Sequence, residues 1–174
     1  MANELLRSRA SPNARNLQGE SPLHLACEQS SVELTRLLLS FQADPRLGDV
    51  HGNRVPGLRA VMKRVAWWSD QKGSGLSSAD KAPAEGVQQF LERRLETVKV
   101  CLEAMESWDP GSGAAASLLD THGETALHLA AAANDMGSCR LLLEFRATVD
   151  AEAGIERRTP LMYAVRAGVC PAVV

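Results

Sequence analysis

The chain has 174 residues and a formal charge of −2, from 19 basic and 21 acidic side chains. That balance excludes a general electrostatic drive toward nucleic acid or anionic lipid. With 45% hydrophobic but only 4% aromatic residues, the length suits one packed domain or a short repeat array with an aliphatic, alanine-rich core.

Other exclusions follow from particular stretches. Met1–Arg9 lacks the apolar segment of a secretory signal, and no run approaches membrane-spanning length, so a soluble intracellular protein of the cytoplasm is expected. The cysteines at 27, 101, 139 and 170 form no C-x-x-C pair, and three sit among apolar helix positions. They read as reduced, structural thiols.

Taken in order, residues 1–15 read as the tail of a repeat, because Leu5, Leu6 and Ala10 stand 33 positions before Leu38, Leu39 and Ala43. A first complete unit spans 16–48. Gly19 suits a tight turn, Ser21 a helix cap and Pro22 the first helical position, where no backbone N–H is needed. Leu23, Leu25, Ala26 and Cys27 predict an inner helix, and Val32, Leu34, Leu37 and Leu38 the buried stripe of an outer one.

The second unit, 49–119, is irregular. Asp49-Val50-His51-Gly52-Asn53 repeats the turn one period on, but Val55-Pro56-Gly57-Leu58 lacks the residues that lock a helix start. Ser69–Glu85 is rich in Ser, Gly, Lys, Asp and Pro and reads as a loop. Leu91, Leu95, Val98, Leu102 and Met105 then predict an amphipathic helix of about 20 residues. Val98 stands 64 residues after Leu34, 31 more than one period of 33. An insertion forming a helical hairpin and loop at about 67–97 accounts for this, with two degraded repeats as the alternative.

The third unit, 120–150, repeats the first. Shifting the sequence by 104 lays Asn16–Ala43 over Asp120–Ala147 without a gap, with 12 of 28 pairs identical. The identities fall on positions that would face inward on two short helices, which is the mark of a stacked repeat. The fourth unit, 151–174, starts with one extra residue and stops where an outer helix is expected. An array interrupted within a repeat at both ends reads as a fragment, a short gene product or a truncated array, and these stay open.

Gly19-Glu-Ser-Pro-Leu-His-Leu-Ala26, Gly123-Glu-Thr-Ala-Leu-His-Leu-Ala130 and Thr159-Pro-Leu-Met-Tyr-Ala164 resemble the ankyrin-repeat motif, of about 33 residues and T-P-L-H-x-A form. The resemblance implies an all-α solenoid of stacked helix-turn-helix repeats with β-turn fingers, the second repeat interrupted by the insertion. It implies a single non-catalytic, monomeric module that binds another protein, with no cofactor, metal, nucleic acid or membrane. The rival reading is a regulatory or docking segment of a larger enzyme, such as a kinase or ubiquitin ligase.

Carried over by position, the partner-binding surface comprises Arg15, Gln18, Glu28, Gln29, His51, Asn53, His122, Glu124, Arg157 and Arg166. Trp67 and Trp68 join it if exposed, and otherwise close the hairpin on Leu91 and Leu95. His24 and His128 have metal-ligand chemistry, and His24-x-x-Cys27 a usable spacing. In this motif, however, the histidine resembles a structural element bonded to the preceding Ser or Thr and the neighbouring turn. Glu92, Glu96, Glu103 and Glu106 with Arg93, Arg94 and Lys99 read as the solvated face of the long helix.

Overall fold

The computed structural model describes residues 1–49, 87–108, 117–120 and 122–167. Seven helices form within them: α1 (Ala2–Arg7), α2 (Pro22–Glu28), α3 (Val32–Ser40), α4 (Val87–Trp108), α5 (Ala126–Ala132), α6 (Met136–Glu144) and α7 (Pro160–Arg166). Among these residues the only β pairing is two isolated bridges, Leu119 with Thr125 and Ala153 with Arg158. His51, Asn53, Trp67, Trp68 and the 69–85 loop lie outside the described residues. So does the expected insertion, apart from 87–97, which begin α4.

The short helices start and stop in a repeated way. Ser21, Thr125 and Thr159 precede α2, α5 and α7 in nearly one extended conformation, with φ of −91°, −89° and −88°. Pro22 and Pro160 fill the first helical position without loss, since that N–H has no intrahelical acceptor. At the other end, α2 and α5 leave through Ser30 and Asn134, both at φ 53°. The outer helices α3 and α6 leave through Gln42 and Arg146, at 65° and 58°, and α1 through Arg9 at 66°.

A left-handed non-glycine residue costs about 1–2 kcal/mol. The Schellman bond that each such turn permits offsets this. Ala10, Ala43 and Ala147 donate to the carbonyls of Leu5, Leu38 and Leu142, each at 3.0 Å. Asn13 joins two of these endings, accepting from the Asp44 N–H at 2.8 Å and donating to the Gln42 carbonyl at 3.2 Å.

Packing follows from which face each helix buries. Leu23, Ala26 and Cys27 of α2 meet Leu38 of α3 and Ala43, with Leu6 of α1 closing the cluster. Leu127 and Ala130 of α5 meet Leu142 of α6 and Ala147 in the same way. Helix α4 packs on α3 and on α6, adding Cys101 to the first cluster and Val98 and Leu102 to the second. Residues 98 and 102 are one turn apart on one face, and residue 101 is offset from 102 by about 100°. One helix therefore serves two cores. A Cβ on Gly137 would come within 2.8 Å of the Leu95 side chain, so glycine permits the close approach of α6 to α4.

One expectation is corrected here. Arg94 is not on the solvated face of α4 but 2% exposed, with Nη2 2.5 Å from Oδ2 of Asp135. The same Asp135 caps α6, accepting from the Ser138 N–H at 3.2 Å and the Ser138 hydroxyl at 2.6 Å. Burial lowers the Arg94 pKa from its ordinary value, and the Asp135 charge and hydrogen bond oppose that shift. By contrast, the Arg36–Glu96 pair between α3 and α4 leaves 56% and 43% of its side chains exposed. A pair that open contributes about 0–1 kcal/mol.

Because Asp135 is the one carboxylate that Arg94 meets among the described residues, removing it strands a buried charge. We expect Asp135→Ala to lower stability by about 3–5 kcal/mol in urea unfolding. Arg94→Met, which removes the charge and keeps the packed stem, is expected to cost far less.

Candidate functional site

The turns between the helices are built by side chains that bond their own backbone. In the first, Asn16 Oδ1 accepts from Gln18 N–H at 3.0 Å and Glu20 N–H at 2.9 Å. In the third unit, Asp120 Oδ1 accepts from His122 N–H at 2.8 Å and Glu124 N–H at 2.9 Å. Gly19 and Gly123 supply the positive φ, 72° and 73°. In the turn before α7, Ala153 and Arg158 exchange two backbone bonds, of 2.8 and 2.9 Å, and Arg157 takes a left-handed φ of 48°.

Histidines lock the turns to the helices. His24 Nδ1 accepts from the Ser21 N–H at 3.0 Å and lies 2.9 Å from its hydroxyl oxygen. His128 Nδ1 does the same with Thr125, at 3.1 and 2.8 Å. An Nδ1 that accepts leaves the proton on Nε2. In His128 that proton points at the Arg158 carbonyl, 3.0 Å away, fastening the third unit to the base of the next turn. The Tyr163 ring stands edge-on to His128 with centroids 5.1 Å apart. The histidines of this motif are thus buried scaffold. Among the described residues, no group of three His, Cys, Asp or Glu side chains is arranged to hold a metal ion.

The structure distributes the surface residues over turns and helix ends. Gln18 and His122 occupy corresponding exposed turn positions, and Glu28 and Gln29 lie exposed at the end of α2. Arg166 is exposed in the last turn of α7. Arg15 braces its own turn, its Nε donating to the Gly19 carbonyl at 2.9 Å and its guanidinium reaching the Gly48 carbonyl. Arg157 is paired with Glu152 across its turn. Glu124 differs from the expected open tip: it is half-buried and accepts from the Tyr163 hydroxyl at 2.7 Å.

Two residues absent from that surface as read from sequence are Leu17 and Ile155, which are 97% and 103% exposed. Leu17 follows the turn-forming Asn16 and Ile155 follows Gly154, each within a projecting turn. That placement in the sequence is the signal that identifies them. Leu161 and Val165, one turn apart on α7, form a further exposed apolar strip.

Paired antiparallel helices joined by projecting turns, stacked through their inner and outer layers, define a solenoid repeat protein. Family comparison agrees. The model described as ankyrin repeats in three copies matches residues 88–174, and the single ankyrin-repeat model matches 18–50. The chain belongs to the ankyrin-repeat family. It is 36% identical over 96 residues to the ADP-ribosylation factor GTPase-activating protein AGD2 of Arabidopsis thaliana. That match takes in 48% of this chain and 12% of the relative's length. Ankyrin repeats are protein-interaction modules, and no helix among the described residues is long and apolar enough to cross a membrane.

The Tyr163–Glu124 bond has a pH signature. Burial raises the Tyr163 pKa above its ordinary value, and the hydrogen bond and charge of Glu124 add to this. A raised phenol pKa favours folding below the unfolded value of about 10 and loses that contribution as pH rises through the folded one. Tyr163→Phe is expected to cost about 1 kcal/mol at neutral pH. In melts recorded up the alkaline range, the gap between the two proteins is expected to close.

Proposed function

We propose that the chain recognises a protein partner with its projecting turns and the adjoining exposed ends of its inner helices. The observation that supports this best is the pair of fully exposed apolar side chains, Leu17 and Ile155, on turns fixed by internal hydrogen bonds. A solvated apolar tip stabilises nothing in the free protein, whereas against a partner each buries to gain about 2 kcal/mol. Gln18 and His122 in the turns, with Glu28, Gln29 and Arg166 at the helix ends, add exposed polar groups for specificity. Arg15, Glu124 and Arg157 hold turn shape, so that little freedom is lost on binding. On this reading the units run 1–15, 16–48, 49–119, 120–150 and 151–174. One copy suffices, without cofactor or nucleic acid, in an intracellular setting.

The match to the Arabidopsis protein favours a second arrangement, in which these repeats serve a longer enzyme as its recognition segment. That relative's name adds a GTPase-activating protein to the kinase and ubiquitin ligase as the kind of enzyme such a segment would serve. In either arrangement the chain itself supplies binding and no chemistry.

The test replaces the tips and leaves the scaffold intact. Leu17→Ser with Ile155→Ser is expected to alter stability by no more than about 0.5 kcal/mol per site. Partners captured by the wild-type chain should be retained at least tenfold less by the double variant, measured by quantitative mass spectrometry. Equal recovery of the same proteins would overturn the reading. The chain alone is expected to leave GTP hydrolysis by an ADP-ribosylation factor unchanged; acceleration would place catalysis within these residues.

A further inference from the structure

Two cysteines from distant parts of the sequence meet in the first core. Cys27 of α2 and Cys101 of α4 are 74 positions apart, yet their sulfurs lie 3.4 Å from each other. Their exposures are 0% and 2%. The scaffold does not demand a thiol here, because the residue corresponding to Cys27 in the third unit is Ala131. A hydrogen-bond chain orders the pair. The Thr35 hydroxyl donates its one proton to the Ser31 carbonyl at 2.9 Å, so Cys27 donates to the Thr35 oxygen, 3.9 Å away. That arrangement leaves the Cys101 S–H to donate to the Cys27 sulfur.

From this geometry we propose that Cys27 and Cys101 are a redox pair, converted by a small hydroperoxide into a disulfide that fastens α2 to α4. A disulfide needs an S–S distance of about 2.05 Å, so the sulfurs must approach by roughly 1.4 Å, within the reach of side-chain rotation. Burial excludes bulky disulfide reagents and leaves hydrogen peroxide as the oxidant of suitable size. The Cys27 sulfur attacks one peroxide oxygen, the O–O bond breaks, and the S–H proton passes to the departing oxygen, which leaves as water. Cys27 is then a sulfenic acid.

Cys101 attacks that sulfur, the S–S bond forms as the S–O bond breaks, and hydroxide departs with the Cys101 proton as a second water. Two thiols have lost two electrons, and one peroxide has become two waters. The hydrogen bond to Cys27 holds the Cys101 thiol well above its ordinary pKa, with burial and the Cys27 charge adding to the effect. Cys139 lies outside the pair: burial, with the nearby Asp135 charge, raises its pKa to about 11, and its side chain is half-buried.

The cross-link would close a loop spanning the 74 positions between the two sulfurs. Restricting the unfolded chain over such a loop stabilises the folded form, by the loop-entropy account.

The experiment exposes the reduced native chain to hydrogen peroxide, alkylates the remaining thiols in denaturant, and maps the peptides without reductant. We expect a Cys27–Cys101 peptide pair lacking two hydrogens, a melting temperature about 10 °C higher, and return of both changes to the starting state with dithiothreitol. In Cys101→Ala, the reaction should stop at a Cys27 sulfenic acid, which dimedone traps when it is added together with the denaturant. The proposal is overturned if both cysteines are recovered as alkylated thiols. It is equally overturned if the bonds found join Cys139, Cys170 or separate chains.

Discussion

The structure depends on α4 burying two faces at once. A short ankyrin-type helix has one neighbour before it and one after it, and it can stand between them only if side chains a single position apart serve different cores. Cys101 turns to α2 and α3, while Val98 and Leu102 turn to α5 and α6. Fully burying one leucine is worth about 1.5–3 kcal/mol, which exceeds the contribution of the open Arg36–Glu96 pair on the outer surface. Arg94 then fixes the register by meeting the residue that caps α6. The apolar contacts hold α4 in place, and the buried charge specifies where along its neighbour it sits.

The second constraint is that each turn must be rigid without a core of its own. Asn16 and Asp120 solve this by accepting two backbone N–H groups each, and the buried histidines connect turn, helix start and, for His128, the following turn. The same hydrogen bonds that stabilise the repeat thereby fix the positions of the exposed tips. The backbone beneath the tips is shared between units whose tip residues differ, as Gln18 and His122 do.

Several of these features were legible in the sequence. Gly19 and Gly123, 104 residues apart, announce two equal turns, and both glycines adopt almost the same φ. The four- and three-residue spacing from Leu91 to Met105 announces α4, which runs for 22 residues. The structural role of the histidine was implied by the motif's resemblance and is visible in the His128 bonds. Other residues were misjudged. Arg94 was read as solvated because it lies in a charged run, and periodicity cannot show that an aspartate 41 positions away will cap a helix beside it. Glu124 was placed on the binding surface by position, and its bond to Tyr163, 39 positions on, has no local signature.

The sequence by itself determined the family, the period and the helical class, because these rest on local rules: turn glycines, caps and apolar spacing recur between the first and third units and can be read within one window. Only the tertiary structure decided which polar side chains are scaffold and which are surface. It alone brought Cys27 to Cys101, Arg94 to Asp135 and Tyr163 to Glu124. Each of those pairings joins residues whose separation is set by how helices stack, and stacking geometry is a property of the assembled core rather than of any stretch of chain.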